Sequence, residues 1–259
     1  MKKITINKIL KKKNKIPITC LTAYSKAIAK IADKYCDIIL VGDSLGMVLY
    51  GMKTTREVTI DMMIPHGRTV KDAAKKSLVV FDMPYQTYTN KFTAYKNAKK
   101  IIKLTKCDGV KLEGGKKIVK IIRYLTKRGI PVIGHVGLLP QTSVKFKTKG
   151  KNFTQQKQIF EDAVAISNSG AFAIVIECVI ESLAKRITKT ISIPTIGIGA
   201  SAYCDGQILV SDDMLGLSDF SPKFVKQYSN LSKIAERCIK SYTKDVKLRR
   251  FPSNKNVYK

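Results

Sequence analysis

Tryptophan is absent from the 259 residues of this chain, histidine occurs only twice, and acidic residues are outnumbered 19 to 48 by lysine and arginine. Each scarcity excludes something. Without tryptophan, and with lysines scattered from Lys2 to Lys259, no compact patch of basic and aromatic side chains marks a nucleic-acid surface. The formal charge of +29 therefore reads as solvated helix faces, with nonspecific polyanion binding at low salt and no specific nucleic-acid partner. Cys20, Cys36, Cys107, Cys178, Cys204 and Cys238 include no C-x-x-C pair, so neither a zinc site nor a disulfide framework is signalled. No stretch approaches the roughly 18 consecutive apolar residues of a membrane span. The N-terminal MKKITINKILKKKNK interrupts its apolar patch with Asn7 and Lys8 before a signal-peptide core can form. The chain thus reads as soluble and cytoplasmic, without a membrane partner.

What is present is a set of short apolar runs, each ending in a residue capable of chemistry: IILVGD at Asp43, LVVFDMP at Asp82, GVKLEGG at Glu113, PVIGH at His135 and AIVIEC at Glu177. Strands are predicted near 17–22, 38–42, 77–82, 108–113, 131–135, 173–177, 194–198 and 207–210, with helical patterns between most of them. In FTAYKNAKKIIKLTK, for example, Phe92, Tyr95, Ala98, Ile101, Ile102 and Thr105 trace one helical face. Alternation of this kind implies parallel strands with right-handed crossovers, and eight units close into an α/β (β/α)8 barrel, an open doubly wound sheet being the alternative. With 44% hydrophobic residues, residues 1–259 suit one such domain. The segment Ser44 to Lys76, with Gly46, Gly51 and Pro65, suggests a loop insertion over the carboxyl-end face, and residues 247–259 suggest a frayed polar tail.

Asp43, Asp82 and Glu113 end three different strands and would converge on the barrel mouth, where oxygen ligands suit a hard cation such as Mg²⁺. Helix capping or pairing with lysine is the structural alternative for any one of them. Lys111 lies two residues from Glu113 and shares its face, so it could hold a substrate carboxylate or form a Schiff base. Glycines 114 and 115 would let backbone and ligand approach closely. Glu177 follows AFAIVI, where burial would suit it to proton abstraction as a general base. His135 should lie in the same mouth as a hydrogen-bond donor, a proton carrier or a structural histidine, whereas His66 reads as loop packing. Gly42-Asp43-Ser44-Leu45 spells a serine-esterase signature, but no histidine follows His135 and no D-x-x-H exists to complete a triad.

Taken in order from about Ile16 to Val246, VGDSLGMVLYG, VVFDMPY, GVKLEGG, IPVIGHVGLLPQ, IPTIGIGA, CDGQILV and PKFVKQY resemble the successive motifs of the ketopantoate hydroxymethyltransferase family. The resemblance implies a metal-dependent barrel of the phosphoenolpyruvate mutase and isocitrate lyase type. It implies transfer of a hydroxymethyl group from 5,10-methylenetetrahydrofolate to 3-methyl-2-oxobutanoate, giving ketopantoate for pantothenate and coenzyme A synthesis. By the same resemblance Asp43 and Asp82 match Mg²⁺ ligands, with Glu113 in the metal shell, where it can act through water, and one ion per subunit. Ser44 and Lys111 match groups that hold the keto acid, beside Asp43, Asp82 and His135, and Glu177 matches the catalytic base. The family's members are generally large homo-oligomers, and a decamer is what the resemblance suggests.

Departures from the family pattern fall mostly elsewhere. TAYS replaces TAYD, so Ser25 stands for a carboxylate; TSVKFKTKGK replaces a glycine-rich stretch; Leu139 stands for threonine and Ile180 for proline. The route expected from these motifs is chelation of Mg²⁺ by the keto acid, removal of its C3 proton by Glu177, and attack of the enolate on the folate's methylene carbon.

Overall fold

The computed structural model describes residues 3–143, 147–218 and 222–258. Residues 144–146 of the altered segment after Gln141 thus lie outside the described residues. The chain divides into two compact units, residues 1–210 and 211–259.

The first unit is a closed barrel of eight parallel strands in sequence order: β1 Ile18–Thr22, β2 Ile38–Val41, β3 Leu78–Asp82, β4 Gly109–Lys111, β5 Val132–Gly137, β6 Ala173–Glu177, β7 Thr195–Ile198 and β8 Gly206–Leu209. Closure comes from β1 against β8, with Ile18 opposite Gly206 and Cys20 opposite Ile208. Each predicted strand coincides with an observed one, because a parallel strand covered on both faces reads as a continuous apolar run bounded by glycine, proline or charge. The helices of this unit are α1 Ile6–Leu10, α2 Lys26–Tyr35, α3 Leu45–Val48, α4 Ile60–Ala73, α5 Lys91–Thr105, α6 Val119–Thr126, α7 Phe153–Ser167 and α8 Glu181–Thr190.

Strand side chains alternate between two cores, as a period of two requires. Ile18, Cys20, Ile38, Leu40, Leu78, Val80, Ile133, Val175, Ile196 and Ile208 form the barrel interior, together with Ile4 and Ile9 from the N-terminal segment. Ile39, Val41, Val79, Phe81, Val110, Val132, Ile174 and Ile176 face outward and pack on the helices. Gly67 lets α4 lie against the barrel, since a Cβ there would meet the Phe81 ring at 2.8 Å.

Two helices differ from expectation in ways packing explains. Pro65 and His66 belong to α4 and not to a loop, so the insertion over the mouth is confined to the residues between Ser44 and Thr59. Proline in a helix interior forgoes one bond, here to the Asp61 carbonyl, and that residue is exposed to water. On α5 the buried face is Ala94, Ala98, Ile101 and Thr105, while Phe92 lies outside on the Tyr124 ring, 5.7 Å between centroids.

The N-terminal segment closes the opposite end of the barrel. Lys12 pairs with Asp37 at 2.6 Å, Lys13 with Asp205 at 2.8 Å and Lys3 with Asp108 at 3.0 Å, these aspartates preceding β2, β8 and β4. Asp205 also accepts bonds from the backbone of Asn14 and from both the backbone and hydroxyl of Thr195.

The second unit carries α9 Ser211–Leu215 and α10 Leu231–Lys247, none of whose α10 side chains is buried. After α10 the backbone of Arg250 and Phe251 bonds to the Asp245 carbonyl, and Ser253 and Asn256 close a local turn.

Replacing Asp205 with alanine leaves the half-buried Lys13 ammonium only the Thr188 carbonyl and strips three other donors of an acceptor, so unfolding in urea should cost about 2–4 kcal/mol less than in the parent. A loss below about 1 kcal/mol would show that this network does not hold the barrel's closing strands.

Candidate active site

The inward alternation runs past the apolar core to the carboxyl ends of the strands. Leu78 and Val80 are followed on the same face by Asp82, Ile133 by His135, and Ala173 and Val175 by Glu177. Gly109 is followed by Lys111 and, two residues past it, by Glu113. Asp43 and Ser44 come directly after β2, in the turn that opens α3. The barrel thus gathers at one mouth the residues singled out from the sequence.

Lys111 is the hub of the cluster. Its Nζ lies 2.9 Å from Asp82 Oδ1, 3.7 Å from Glu113 Oε1 and 3.4 Å from His135 Nδ1. Burial alone would push this ammonium down, but Asp82, Glu113 and Asp43 more than offset it and hold it above its ordinary value. A lysine kept protonated has no lone pair with which to begin a Schiff base, so the geometry favours a charge-binding role. His135 stands between two acids, its Nδ1 3.4 Å from Glu113 Oε1 and its Nε2 3.3 Å from Glu177 Oε2. Burial and Lys111 oppose its protonation, yet the two carboxylates prevail and raise it to about 9. Burial likewise pushes Glu113 up, and His135 and Lys111 bring it below its usual range. Asp43 goes the other way, raised well above the ordinary carboxylate by burial and by the charges of Asp82 and Glu113. Asp82 is also raised, its burial outweighing the Lys111 ammonium.

Two expectations change in detail. Glu177 is not sealed in a dry pocket: its side chain is 13% exposed at the mouth and faces the His135 imidazole. Glycines 114 and 115 serve the chain itself, Gly114 through a φ of +130° and Gly115 by making room for Asp162 of α7, whose carboxylate an added Cβ would overlap at 1.9 Å. His66 packs structurally, its Nδ1 2.7 Å from the Tyr24 carbonyl and its Nε2 2.9 Å from the Tyr50 hydroxyl. Ser44 sits at the mouth with its Oγ 2.8 Å from the Tyr24 hydroxyl.

Sequence reasoning missed Gln141, Tyr88 and Arg56. Gln141 ends the run GLLPQ, yet a single neutral amide in a loop carries no periodic or charge signal. In the structure its Nε2 donates to Asp43 Oδ2 at 2.7 Å and to the Met83 carbonyl at 2.9 Å, and its backbone N–H donates to Glu113 Oε2 at 3.1 Å. The Tyr88 hydroxyl donates to Gln141 Oε1 and accepts from the Glu113 N–H. Arg56, from the short 3-10 turn Thr55–Glu57, donates to the carbonyls of Gln141 and Thr142, both at 2.9 Å.

A profile of the family described as ketopantoate hydroxymethyltransferase matches residues 3–254. The 3-methyl-2-oxobutanoate hydroxymethyltransferase of Pelagibacter ubique is 54% identical over 249 residues, covering 96% of this chain and 97% of its own. The enzyme of the same name from Bartonella quintana is 52% identical, covering 100% and 96%. The chain belongs to the ketopantoate hydroxymethyltransferase family. Among solved structures, a phosphonopyruvate hydrolase in complex with oxalate and Mg²⁺ superposes with a TM-score of 0.63 over 99% of this chain and 93% of its own, at 12% identity. A 2,3-dimethylmalate lyase of the phosphoenolpyruvate mutase/isocitrate lyase superfamily gives 0.63 over 99% and 89%, at 11% identity. Those two likenesses concern the fold, and they match the barrel type the motifs implied.

The donor set of this ketopantoate hydroxymethyltransferase family member can be judged against a divalent cation on its own atoms. Among the described residues no three His, Cys, Asp or Glu side chains close a ready-made cage. Mg²⁺ does not need one, because it commonly takes one or two carboxylates and fills its remaining positions with water and substrate oxygens. Asp43 and Asp82 are adjacent, the Asp43 N–H donating to Asp82 Oδ2 at 3.2 Å, while Asp82 Oδ1 is met by the Lys111 ammonium at 2.9 Å. Two adjacent buried carboxylates that share a single ammonium with Glu113 fit a hard cation. Glu113 is engaged by Lys111, His135 and the Gln141 N–H, which leaves it the more distant place in such a shell.

With divalent ions removed by chelator, the His135 imidazole should titrate near 9 by proton NMR. Because its folded value lies above the ordinary 6.5, the stability it contributes is complete below that pH and is lost as pH rises through about 9. The parent should therefore lose unfolding free energy across that window relative to His135→Gln, and a titration at or below 6.5 would contradict the two-carboxylate environment.

Proposed function

We propose that this protein transfers a hydroxymethyl group from 5,10-methylenetetrahydrofolate to 3-methyl-2-oxobutanoate, with water supplying the hydroxyl oxygen, to give ketopantoate and tetrahydrofolate for pantothenate and coenzyme A synthesis. The observation that carries this reading is the gathering of Asp43, Asp82, Lys111, Glu113, His135 and Glu177 at one barrel mouth, in a chain whose relatives bear the name of that activity. Asp43 and Asp82 would hold one Mg²⁺ per subunit. When bound, that ion would supply Lewis acidity at the keto acid's carbonyl and carboxylate oxygens.

The remaining work falls to side chains of this chain. Lys111, kept as an ammonium by its carboxylates, and Ser44, beside the Tyr24 hydroxyl, are placed to bind and orient the keto acid. Glu177, at the open rim, removes the C3 proton, and its small exposure leaves room for the branched carbon to approach. His135 stands directly behind it at 3.3 Å, placed to donate a hydrogen bond to its carboxylate and so to orient the base. Enolate charge is met by Lys111, a preorganised donor in a water-poor site. A homo-oligomer, on family resemblance, and a cytoplasmic setting, on the sequence pattern of the N-terminal segment, are proposed for this chemistry.

The direct test is formation of ketopantoate from the keto acid, methylenetetrahydrofolate and Mg²⁺, with complete loss in chelator. Absence of product from folded, metal-supplied protein would end this reading. Glu177→Gln should slow exchange of the C3 proton in deuterated water by about 10² to 10⁴ while keto-acid binding survives. Exchange at the parent rate would remove Glu177 from the role of base.

A further inference from the structure

Gln141, which no sequence pattern singled out, makes four hydrogen bonds at the candidate site, to Asp43, Glu113, Tyr88 and the Met83 carbonyl. It is 1% exposed, and every polar atom of its side chain is used: both Nε2 protons, on Asp43 Oδ2 and the Met83 carbonyl, and Oε1, on the Tyr88 hydroxyl. The Met83 carbonyl fixes which way the amide faces, because a flipped group would set its oxygen against that carbonyl, two acceptors with no proton between them. Its backbone is held as firmly, the N–H on Glu113 Oε2 and the carbonyl under the Arg56 guanidinium. One residue from the loop after β5 thus ties together the chain after β2, β3 and β4 and the insertion that carries Arg56.

We infer that Gln141 is a positioning residue that sets the divalent-cation affinity of this site by fixing the Asp43 and Glu113 carboxylates; the inference rests on the metal-dependent reading above. Gln141 takes one oxygen from each of these acids, so it decides which oxygens are turned toward an incoming cation and how far apart they stand. A carboxylate free to rotate would have to be ordered at the moment of binding, and a lost supporting hydrogen bond of this kind typically weakens metal affinity about 10- to 100-fold. Tyr88 acts one step further out, by locking the amide's orientation.

The test uses Mn²⁺ as the probe, followed by electron paramagnetic resonance on full-length protein without substrate. Gln141→Leu keeps the side-chain volume and removes all three polar contacts of the amide. It should raise the Mn²⁺ dissociation constant about 10- to 100-fold. The Mg²⁺ concentration for half-maximal turnover should move in parallel, with a smaller change in kcat at saturating Mg²⁺. Tyr88→Phe removes one hydroxyl, spares the fold, and should shift both in the same direction by less; it carries the test alone should the leucine variant fail to fold. Mn²⁺ affinity within about twofold of the parent in a folded Gln141→Leu, or in Tyr88→Phe if only that folds, overturns the inference. So does a fall in kcat with unchanged metal affinity, as a purely structural role would produce. A parent that binds Mn²⁺ but forms no ketopantoate counts against the proposed reaction and leaves the role of Gln141 to be decided by the binding data. A parent that binds no Mn²⁺ overturns both.

Discussion

The Lys111 ammonium, buried at the carboxyl end of β4, faces carboxylates that would repel one another without it. Asp82 sits 2.9 Å away and Glu113 3.7 Å, with Asp43 contributing through charge. A single buried cation cannot balance this many acids, and the imbalance explains the rest of the mouth. His135 is drawn toward its protonated form by the two glutamates it separates, and Asp43 and Asp82 are pushed toward neutrality by burial first and by the neighbouring acids second. A site poised in this way is short of positive charge, which is the condition under which a divalent cation binds most favourably.

Stability and chemistry occupy opposite ends of the same strands. At the amino ends, Asp37, Asp108 and Asp205 each take a lysine from the N-terminal segment, and Asp108 takes Lys71 of α4 as well. Those pairs are matched, so the charge there is spent on closing the barrel. At the carboxyl ends the acids outnumber the bases, and the loops that carry Gln141, Tyr88 and Arg56 hold them in place by hydrogen bonds. The division follows the general behaviour of parallel barrels, in which one rim carries the scaffold's stability and the other is free to vary.

Much of this was legible along the chain. Apolar runs located the strands, because burial on both faces of β2 to β7 leaves no polar alternation to confuse with a helix. The residues ending those runs proved to share one mouth, since strands that alternate every two residues and run parallel must deliver their last inward side chains to the same rim. Errors arose where a local signal was read without its packing. Pro65 suggested a loop but lies in α4, Phe92 looked like core but stacks outside on Tyr124, and the five-residue α1 that plugs the barrel has no periodicity long enough to notice.

Sequence by itself determined the strand order, the inward face and the identities of the charged groups at the mouth, because these depend on patterns with a fixed period and on motifs that recur in order. Only the tertiary structure decided which of those groups pair: Lys111 with Asp82 and Glu113, His135 with both Glu113 and Glu177, Gln141 with Asp43. The reason is geometric. Apart from Lys111 and Glu113, which are two residues apart, those partners lie 22 to 98 residues apart, and hydrogen bonds and ion pairs act over a few ångströms that exist only after the barrel has closed.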